Sequence, residues 1–218
     1  MVKPRIPETD QGVQGEFIVE MYDKMSRKFR DRKLLQTNQI IKAGITHGLA
    51  LEIGPGPGYL GLEWLKKTNE TNLMLLEISP DMITIAKKNT REYGFESRVK
   101  YILGNALLMP FNDNMFNGLF TSASLHEWEH PEKVFNEIYR ILKPGGRFCI
   151  TDLRRDMNPV VKWVMKMMIK EKELKSGLIS SINAAYTIEE GRLILDRSKF
   201  NDYEVTQSVF GLDITGVK

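Results

Sequence analysis

An apolar run that ends in three closely spaced glycines offers the clearest chemistry in this chain. The segment L-E-I-G-P-G-P-G-Y-L, residues 51–60, places Gly54, Gly56 and Gly58 just before a predicted helix. Glycines let backbone N–H groups approach a ligand closely, and the following helix directs the positive end of its dipole towards that ligand. Glu77 closes the next apolar run, where a carboxylate can accept hydrogen bonds from both hydroxyls of a ribose. The spacing differs from the dinucleotide pattern G-x-G-x-x-G.

A second group of candidate residues follows the fourth apolar run, in the segment 121–130. His126 is the best candidate for a general base, because its unperturbed pKa is about 6.5; the alternative is that it only positions the segment. Trp128 either lines an acceptor pocket or packs on the following helix. After the fifth run, Arg154 and Arg155 either hold an anionic acceptor or form a solvated turn.

Short apolar runs alternate with segments of helical period, which is the pattern of a mostly parallel sheet with helices on both faces. The last two runs are so close together that they must form an antiparallel hairpin through Gly211. We therefore predict an α/β, Rossmann-like fold with a seven-stranded sheet. The predicted strands are Leu49–Ile53, Asn72–Ile78, Val99–Gly104, Phe116–Ser122, Gly146–Asp152, Tyr203–Phe210 and Leu212–Val217.

Composition is that of an ordinary globular protein of 218 residues, 42% apolar and 27% charged, with a formal net charge of +3. A positive charge this weak is not the footprint of a nucleic-acid-binding protein, whereas acidic small substrates fit it. The single cysteine, Cys149, lies in a predicted strand and cannot form an internal disulfide, which indicates a reducing, cytoplasmic compartment. Residues 1–14 have no apolar signal core, and no run reaches the ~20 apolar residues of a membrane span.

Two further segments are predicted to be helices that shape the site. Apolar residues recur at helical spacing over residues 17–29, so this helix lays an apolar stripe on its neighbours. The segment 160–170 is apolar nearly all round, apart from a narrow stripe formed by its lysines. We expect it to be a lid over a hydrophobic acceptor, with Trp163 and at least one of Met165, Met167 and Met168 facing that acceptor. A membrane-surface face and a dimer contact are the alternatives.

Four motifs in order resemble those of the class I S-adenosylmethionine-dependent methyltransferases. The glycine segment resembles motif I in the form E-x-G-x-G-x-G, and residues 75–80 resemble motif II. Residues 104–111 are similar to the family's G-D-A…L-P-F segment, and residues 142–146 to its L-K-P-G-G. We therefore predict one methyltransferase-like domain over residues 1–218. Its parts are a helical cap (1–44), a cofactor-binding core (45–155), a lid and helix (156–200) and a terminal β-hairpin (201–218).

This resemblance implies S-adenosylmethionine as the cofactor and a set of residues that bind it. Glu77 is expected to accept the ribose hydroxyls, and Glu52 either orients the methionine ammonium or braces the loop. Asn105 stands where the family usually has aspartate, and its amide oxygen can accept the same hydrogen bond from the adenine amino group. The other expected cofactor contacts are Gly54, Gly56, Gly58, Ile78, Ala106, Leu107, Ser122 and, from the capping N-terminal helix, Tyr22.

The resulting prediction is methyl transfer from S-adenosylmethionine to a small, partly apolar molecule by a cytoplasmic monomer or homodimer, with no metal. An RNA-modifying methyltransferase and a non-catalytic, cofactor-binding regulatory protein are the alternatives. Residues 121–125 lack the N/D-P-P-Y/F motif of enzymes that methylate exocyclic amines of nucleobases. Methylation of a cytosine carbon needs a cysteine nucleophile, and Cys149 is predicted to be buried in a strand. Nucleic acid is therefore not the expected partner. A membrane surface is not expected either. The predicted acceptor-side residues are Trp128, Arg154, Arg155, Trp163 and Met167.

Overall fold

A computed structural model describes residues 4–8, 15–208 and 210–218 of the chain. The strands are β1 (Gly48–Ile53), β2 (Thr71–Glu77), β3 (Val99–Leu103), β4 (Phe116–Ser122), β5 (Leu142–Leu153), β6 (Asp202–Gln207) and β7 (Gly211–Val217). The helices are α1 (Glu16–Asp31), α2 (Thr37–Lys42), α3 (Tyr59–Lys67), α4 (Pro80–Tyr93), α5 (Pro131–Ile141), α6 (Pro159–Met168), α7 (Lys172–Ala184) and α8 (Ile188–Asp196), and a 3₁₀ turn covers Leu125–Glu127.

The seven strands form one sheet in the order β3-β2-β1-β4-β5-β7-β6. The first five are parallel, and β7 runs antiparallel to both of its neighbours, β5 and β6. The predicted fold class is confirmed. The chain leaves β1 towards β2 on one side and returns through β4 on the other, so a crevice opens at the carboxyl ends of β1 and β4, where ligands bind in open α/β sheets.

Both faces of the sheet are covered, as the near-continuous apolar strands predict. On one face α2, α3 and α4 pack around Trp64, whose ring lies 5.4 Å from that of Phe120. On the other face α5 and α8 pack around Phe135, 5.9 Å from Phe148. Cys149 lies inside the sheet between β4 and β7 and is 1% exposed, so burial raises the pKa of its thiol to about 12.

Capping residues fix the helix that follows β2. The Ser79 hydroxyl accepts a hydrogen bond from the Met82 N–H at 3.2 Å, and Pro80 occupies the first turn, where its missing N–H costs nothing. Gly94 ends α4 in the left-handed conformation, with φ +70°. These boundaries follow from the residue types, and they fix where Glu77 and the loop after it must lie.

Several strand ends differ by one residue from the sequence prediction, and two regions, the hairpin near Gly211 and the start of β5, differ in kind or by more. The strand β6 ends at Gln207 rather than at Phe210, and Gly211 begins β7 instead of forming the turn; the prediction for Val209 lies outside the described residues. Glycine is required at position 211 because a Cβ there would lie 1.7 Å from the Asp152 carbonyl oxygen. The strand β5 begins at Leu142, directly after α5, and its pairing with β4 is irregular before Gly118. The sequence L-K-P-G-G, residues 142–146, predicts a turn, so the early and irregular start of β5 could not be predicted from it.

Candidate cofactor and acceptor site

A cavity of about 1320 Å³ lies at the carboxyl ends of β1, β2 and β4. Its wall combines the glycine loop, the ends of these strands, α1, the 3₁₀ turn, parts of α6 and α7, and the loop before β7. Pockets that hold one small molecule have volumes of roughly 300–1,000 Å³. This cavity therefore has room for a cofactor together with an acceptor.

The loop after β1 adopts a conformation that only glycine tolerates easily. Gly54, Gly56 and Gly58 have φ values of +59°, +52° and +83°. A Cβ on Gly54 would lie 2.1 Å from the Ser124 hydroxyl oxygen, and one on Gly56 would lie 3.6 Å from the ring of Tyr22. Gly54 is thus required both by its backbone angles and by the close approach of the β4 edge.

Glu77 is buried at the end of β2, with its carboxylate turned to the glycine loop. Its oxygens accept hydrogen bonds from the N–H groups of Gly56 at 3.1 Å, and of Ile78 and Ser79 at 2.9 Å each. Burial raises the pKa of Glu77, and these three bonds oppose the rise. Because a carboxylate has about four acceptor positions, one stays available to a ligand hydroxyl.

Glu52 lies inside β1 and is 2% exposed, with its side chain at the cavity wall. Burial raises its pKa well above the usual range, against a hydrogen bond from the Gly61 N–H. Its Oε2 has no hydrogen-bond partner among the described residues. A Cβ on Gly61 would lie 2.3 Å from that oxygen, so Glu52 also packs closely on α3. The position suits either of its two predicted roles.

The residues predicted to hold adenine are brought together beside Glu77. Ile78, Asn105, Ala106 and Leu107 all line the cavity and are half-buried. The Asn105 amide oxygen accepts a hydrogen bond from the Leu107 N–H at 2.8 Å, which closes a tight turn. A carbonyl oxygen has two lone pairs, so one is still available to a ligand donor.

Tyr22 and Ser122 also line the cavity. Tyr22 reaches from α1 to the glycine loop, and burial, followed by the negative charges of Glu127, Glu77 and Asp152, raises its pKa to about 12. The Ser122 hydroxyl donates to the side-chain oxygen of Gln36 at 3.2 Å. The convergence of carboxylates makes this a site for a cationic ligand.

His126 is 2% exposed and is held by Asp152 of β5. Its Nδ1 lies 2.7 Å from one Asp152 oxygen, and its backbone N–H donates to the other at 2.8 Å. Burial alone would lower the pKa of the imidazole, but Asp152 raises it to about 9, with smaller contributions from Glu127 and Glu8. An imidazole that is already protonated at neutral pH cannot accept a proton, so this environment favours the positioning role over the general base.

Three of the acceptor-side residues are held by protein contacts. Trp128 lines the cavity and also packs edge-on against Phe135 of α5 at 5.9 Å, so both of its predicted roles apply. The Arg154 guanidinium pairs with Asp156 at 2.9 Å. Arg155 donates to the Ala185 carbonyl oxygen at 2.8 Å and pairs with both carboxylate oxygens of Glu190 on α8. Neither arginine is among the cavity-lining residues, and the solvated turn is wrong as well, because both take part in ion pairs.

The helix α6 presents different residues to the cavity than its sequence suggested. Trp163 and Met167 are each 61% exposed, so their predicted place against the acceptor is wrong. Met165 and Met168 line the cavity instead, together with Ile169 after the helix. Helical spacing sets 163 and 167 on one face and 165 and 168 on the other. At least one methionine of this helix thus faces the cavity, as predicted, whereas Trp163 does not.

Sequence reasoning missed two carboxylates at the site. Glu8 lies 3.5 Å from the Nε2 atom of His126, and Glu127, next to His126 in the chain, lines the same part of the cavity. Burial, opposed by the His126 charge, raises the pKa of Glu127 to about 7. The neighbour of His126 was visible in the sequence; Glu8, in a polar N-terminal segment, gave no signal.

The fold and the site together define a class of protein. A parallel sheet that ends in an antiparallel hairpin, a glycine loop after β1 and a buried acid at the end of β2 are the features that the motifs predicted for class I S-adenosylmethionine-dependent methyltransferases. Residues 51–150 match the family described as "Methyltransferase domain". Residues 51–150 are thus similar to methyltransferase domains, in agreement with the predicted resemblance.

Individual relatives extend the comparison beyond the domain. The ubiquinone/menaquinone biosynthesis C-methyltransferase UbiE of Citrobacter koseri is 29% identical over 153 residues, which are 68% of this chain and 60% of that protein. This chain thus spans less than two thirds of the length of that relative. A candidate S-adenosyl-L-methionine-dependent methyltransferase of Methanococcus maripaludis has a similar structure, with a TM-score of 0.74 and 26% identity over 99% of this chain and 97% of that one. A methyltransferase of Aquifex aeolicus shares the fold, with a TM-score of 0.71 and 18% identity over 94% and 98% of the two chains.

Among the residues that the structure describes, no helix is long and apolar enough to cross a membrane.

Proposed function

We propose that this chain binds S-adenosylmethionine at the carboxyl ends of β1 and β2 and transfers its methyl group to a small, partly apolar acceptor. The single observation that carries the proposal is the pairing of the glycine loop with Glu77. The backbone N–H of Gly56 holds the Glu77 carboxylate at 3.1 Å, so loop and acid form one unit beside a cavity that has room for two ligands.

Charge supports this choice of cofactor. S-adenosylmethionine carries a sulfonium and an ammonium cation, and the cavity is lined by the carboxyl groups of Glu52, Glu77, Glu127 and Asp152. These groups are largely buried, so their interactions with a cation are less screened than they would be at the surface. An anionic dinucleotide would be repelled here.

Methyl transfer requires no covalent bond between protein and substrate, because the sulfonium already activates the methyl group. The residues of the cavity need to align the acceptor atom with the methyl carbon and to exclude water. The loop and Glu77 fix the cofactor, and Met165, Met168 and Ile169 form an apolar wall on the acceptor side. Unbranched methionines adapt to the shape of the acceptor.

The acceptor we propose is an apolar ring compound of the kind named by the UbiE relatives, whose names describe C-methylation in ubiquinone and menaquinone biosynthesis. The apolar wall of the cavity supports a small molecule over RNA, which requires a basic surface. We further propose a cytoplasmic location and a monomeric or homodimeric state. The single, buried cysteine supports the reducing compartment.

Calorimetric titration with S-adenosylhomocysteine tests the cofactor site. We expect one molecule bound per chain, and Glu77→Ala should weaken binding by about 1.5–3 kcal/mol, or roughly 10- to 150-fold in Kd, because a charged acceptor of hydrogen bonds is lost. The matched control is Glu204→Ala, which removes an exposed carboxylate on β6. Equal binding by parent and Glu77→Ala would refute the proposed ribose site. Binding without transfer of label from the cofactor to any apolar acceptor would favour the non-catalytic alternative.

A further inference from the structure

We propose that Glu8, His126 and Glu127 form a binding site for one divalent transition-metal ion on the acceptor side of the cavity. One ligand atom from each residue, the imidazole nitrogen and one oxygen of each carboxylate, lies within 4.8 Å of the other two. Ligands of a single ion with bonds of about 2.1 Å can be up to roughly 4.2 Å apart. The three atoms would therefore need to move closer together by up to roughly 1–2 Å to share one ion, which side-chain rotations can supply.

The imidazole is already oriented as a metal ligand. Asp152 accepts the proton of Nδ1 at 2.7 Å, and its second oxygen accepts the His126 backbone N–H at 2.8 Å. A metal ion would therefore bind at Nε2 and displace its proton, and Nε2 is the atom that faces Glu8, at 3.5 Å. A carboxylate that fixes the far nitrogen of a coordinating histidine is a recurring feature of metal sites.

The burial of this cluster separates it from an acidic patch on the surface. The side chains of His126 and Asp152 are 3% and 2% exposed, and that of Glu8 is 18% exposed. Three carboxylates, those of Glu8, Glu127 and Asp152, thus surround one imidazole. Taking carboxylates out of water is costly unless a cation compensates them, and a dication here would neutralise two of the three.

The N-terminal strap, residues 4–8, is tied down in a way that delivers Glu8 to this place. Arg5 donates to the carbonyl oxygens of Ala184 at 2.5 Å and His126 at 2.8 Å, and its guanidinium lies 4.3 Å from the centre of the Tyr186 ring. The Ile6 N–H donates to the Asn183 carbonyl oxygen at 3.1 Å. The strap is therefore anchored to α7, to the 3₁₀ turn and to the residues just after α7, which makes the approach of Glu8 to His126 a built feature.

The donor set selects the kind of ion. One imidazole nitrogen with two carboxylate oxygens suits Mn²⁺, Fe²⁺, Co²⁺ or Zn²⁺, whereas Ca²⁺ prefers oxygen alone and Cu⁺ prefers sulfur. The ion would lie at the wall of the same cavity, where it can bind an oxygen atom of the acceptor. Metal binding is measured without cofactor or acceptor, so this proposal is tested separately from the proposed function.

Titration of chelator-treated protein with Co²⁺, followed by calorimetry and by visible absorption, tests the site. We expect one Co²⁺ per chain and an absorption band of an imidazole-bound ion. Glu8→Gln and Glu127→Gln should each weaken Co²⁺ binding at least about tenfold, and Asp152→Asn should weaken it by about 10- to 100-fold through the orientation of His126. The matched control is Glu132→Gln, because Glu132 is a carboxylate of α5 that does not line the cavity.

Absence of Co²⁺ binding by the parent protein at millimolar concentration would overturn the proposal, and so would unchanged binding in both glutamine variants or an equal loss in the control. Thermal unfolding and S-adenosylhomocysteine binding of each variant report whether the fold is intact. Should Glu127→Gln not fold, Glu8→Gln alone decides, because Glu8 belongs to the strap and not to the core. Co²⁺ binding without cofactor binding would refute the proposed function and leave the metal site standing.

Discussion

The two halves of the cavity are built from different lengths of chain. The cofactor half uses neighbouring segments: Gly56 and Glu77 meet across one strand–helix–strand unit, and Asn105 bonds the residue two positions further on. The acceptor half joins the N-terminal strap, the 3₁₀ turn, the end of β5, α6 and the loop before β7. Local sequence motifs therefore predict the cofactor half, whereas the acceptor half is formed by distant segments that only the folded structure brings together.

The largest expected effect comes from Gly54, on the cofactor side. We expect Gly54→Ala to weaken S-adenosylhomocysteine binding by at least about 100-fold, ~2.7 kcal/mol, because the new Cβ would lie 2.1 Å from the Ser124 hydroxyl oxygen. Gly94→Ala is the matched control, since Gly94 also has positive φ but nothing lies within 4 Å of its added Cβ. Both variants carry the backbone strain of about 1–2 kcal/mol, so only the clash distinguishes them.

A rescue experiment sharpens this prediction. Ser124→Ala removes the hydroxyl that the new Cβ would meet and leaves the Ser124 Cβ position at 3.3 Å, so the double variant should regain part of the lost affinity. If the double variant binds no better than Gly54→Ala, the loss comes from the backbone and not from the contact with β4.

A smaller effect is expected on the acceptor side, from α6. Replacing Met165 and Met168 by serine should lower methyl transfer by about tenfold and leave the Kd of S-adenosylhomocysteine within about twofold, because these side chains line the apolar wall and not the cofactor half. Replacing Trp163 and Met167 by serine on the same helix is the control, and it should leave transfer unchanged because both are exposed. The opposite order of effects would place the acceptor on the outer face.

The smallest effect concerns the ion pair that holds the acceptor half to α8. Glu190→Gln should lower the free energy of unfolding by about 1–2 kcal/mol at pH 7, less than for a fully buried pair, because the Glu190 side chain is 36% exposed. The pair with Arg155 lowers the pKa of Glu190. The stabilisation is therefore present above the unfolded pKa of about 4.3 and is lost as the pH falls below it.

Urea unfolding at pH 7, 5 and 4 measures this difference, and Glu189→Gln in the same turn is the control. A gap between parent and Glu190→Gln that widens towards acid pH would contradict the assigned pairing. The difference in unfolding free energy at pH 7 measures how much this long-range ion pair stabilises the acceptor half of the cavity.

The fold was predictable because each of its determinants is local. Periodicity marks the strands, Ser79 and Gly94 mark the ends of α4, and the resemblance to the methyltransferase motifs supplies the layout of a doubly covered sheet. Most of the predicted cofactor-binding residues lie in these same local motifs. The main errors lay near Gly211 and Leu142, because the first boundary depends on a backbone contact with Asp152 and the second on irregular pairing with β4; other strand ends were off by one residue.

The acceptor side escaped prediction for physical reasons that particular residues show. A helix that is apolar all round does not reveal which face is buried, so Trp163 and Met167 were assigned to the wrong side. The adjacent arginines give no sequence signal that one of them, Arg155, forms an ion pair with Glu190, 35 residues further along the chain. Glu8 is separated from His126 by more than half of the chain, and only the anchoring of the strap brings the two together.

The buried thiol of Cys149 can report, in the native sequence, when the helices that cover it open. As the chain's single cysteine, buried among residues of α2, α3 and α4 with its pKa raised to about 12, it is alkylated only when those helices move away from the sheet. A ligand that binds only the closed protein slows this labelling by the factor 1 + [L]/Kd, or about 100-fold at 100 times Kd. The rate of one chemical modification thus reads out occupancy of a cavity on another part of the sheet, without any substitution or attached dye.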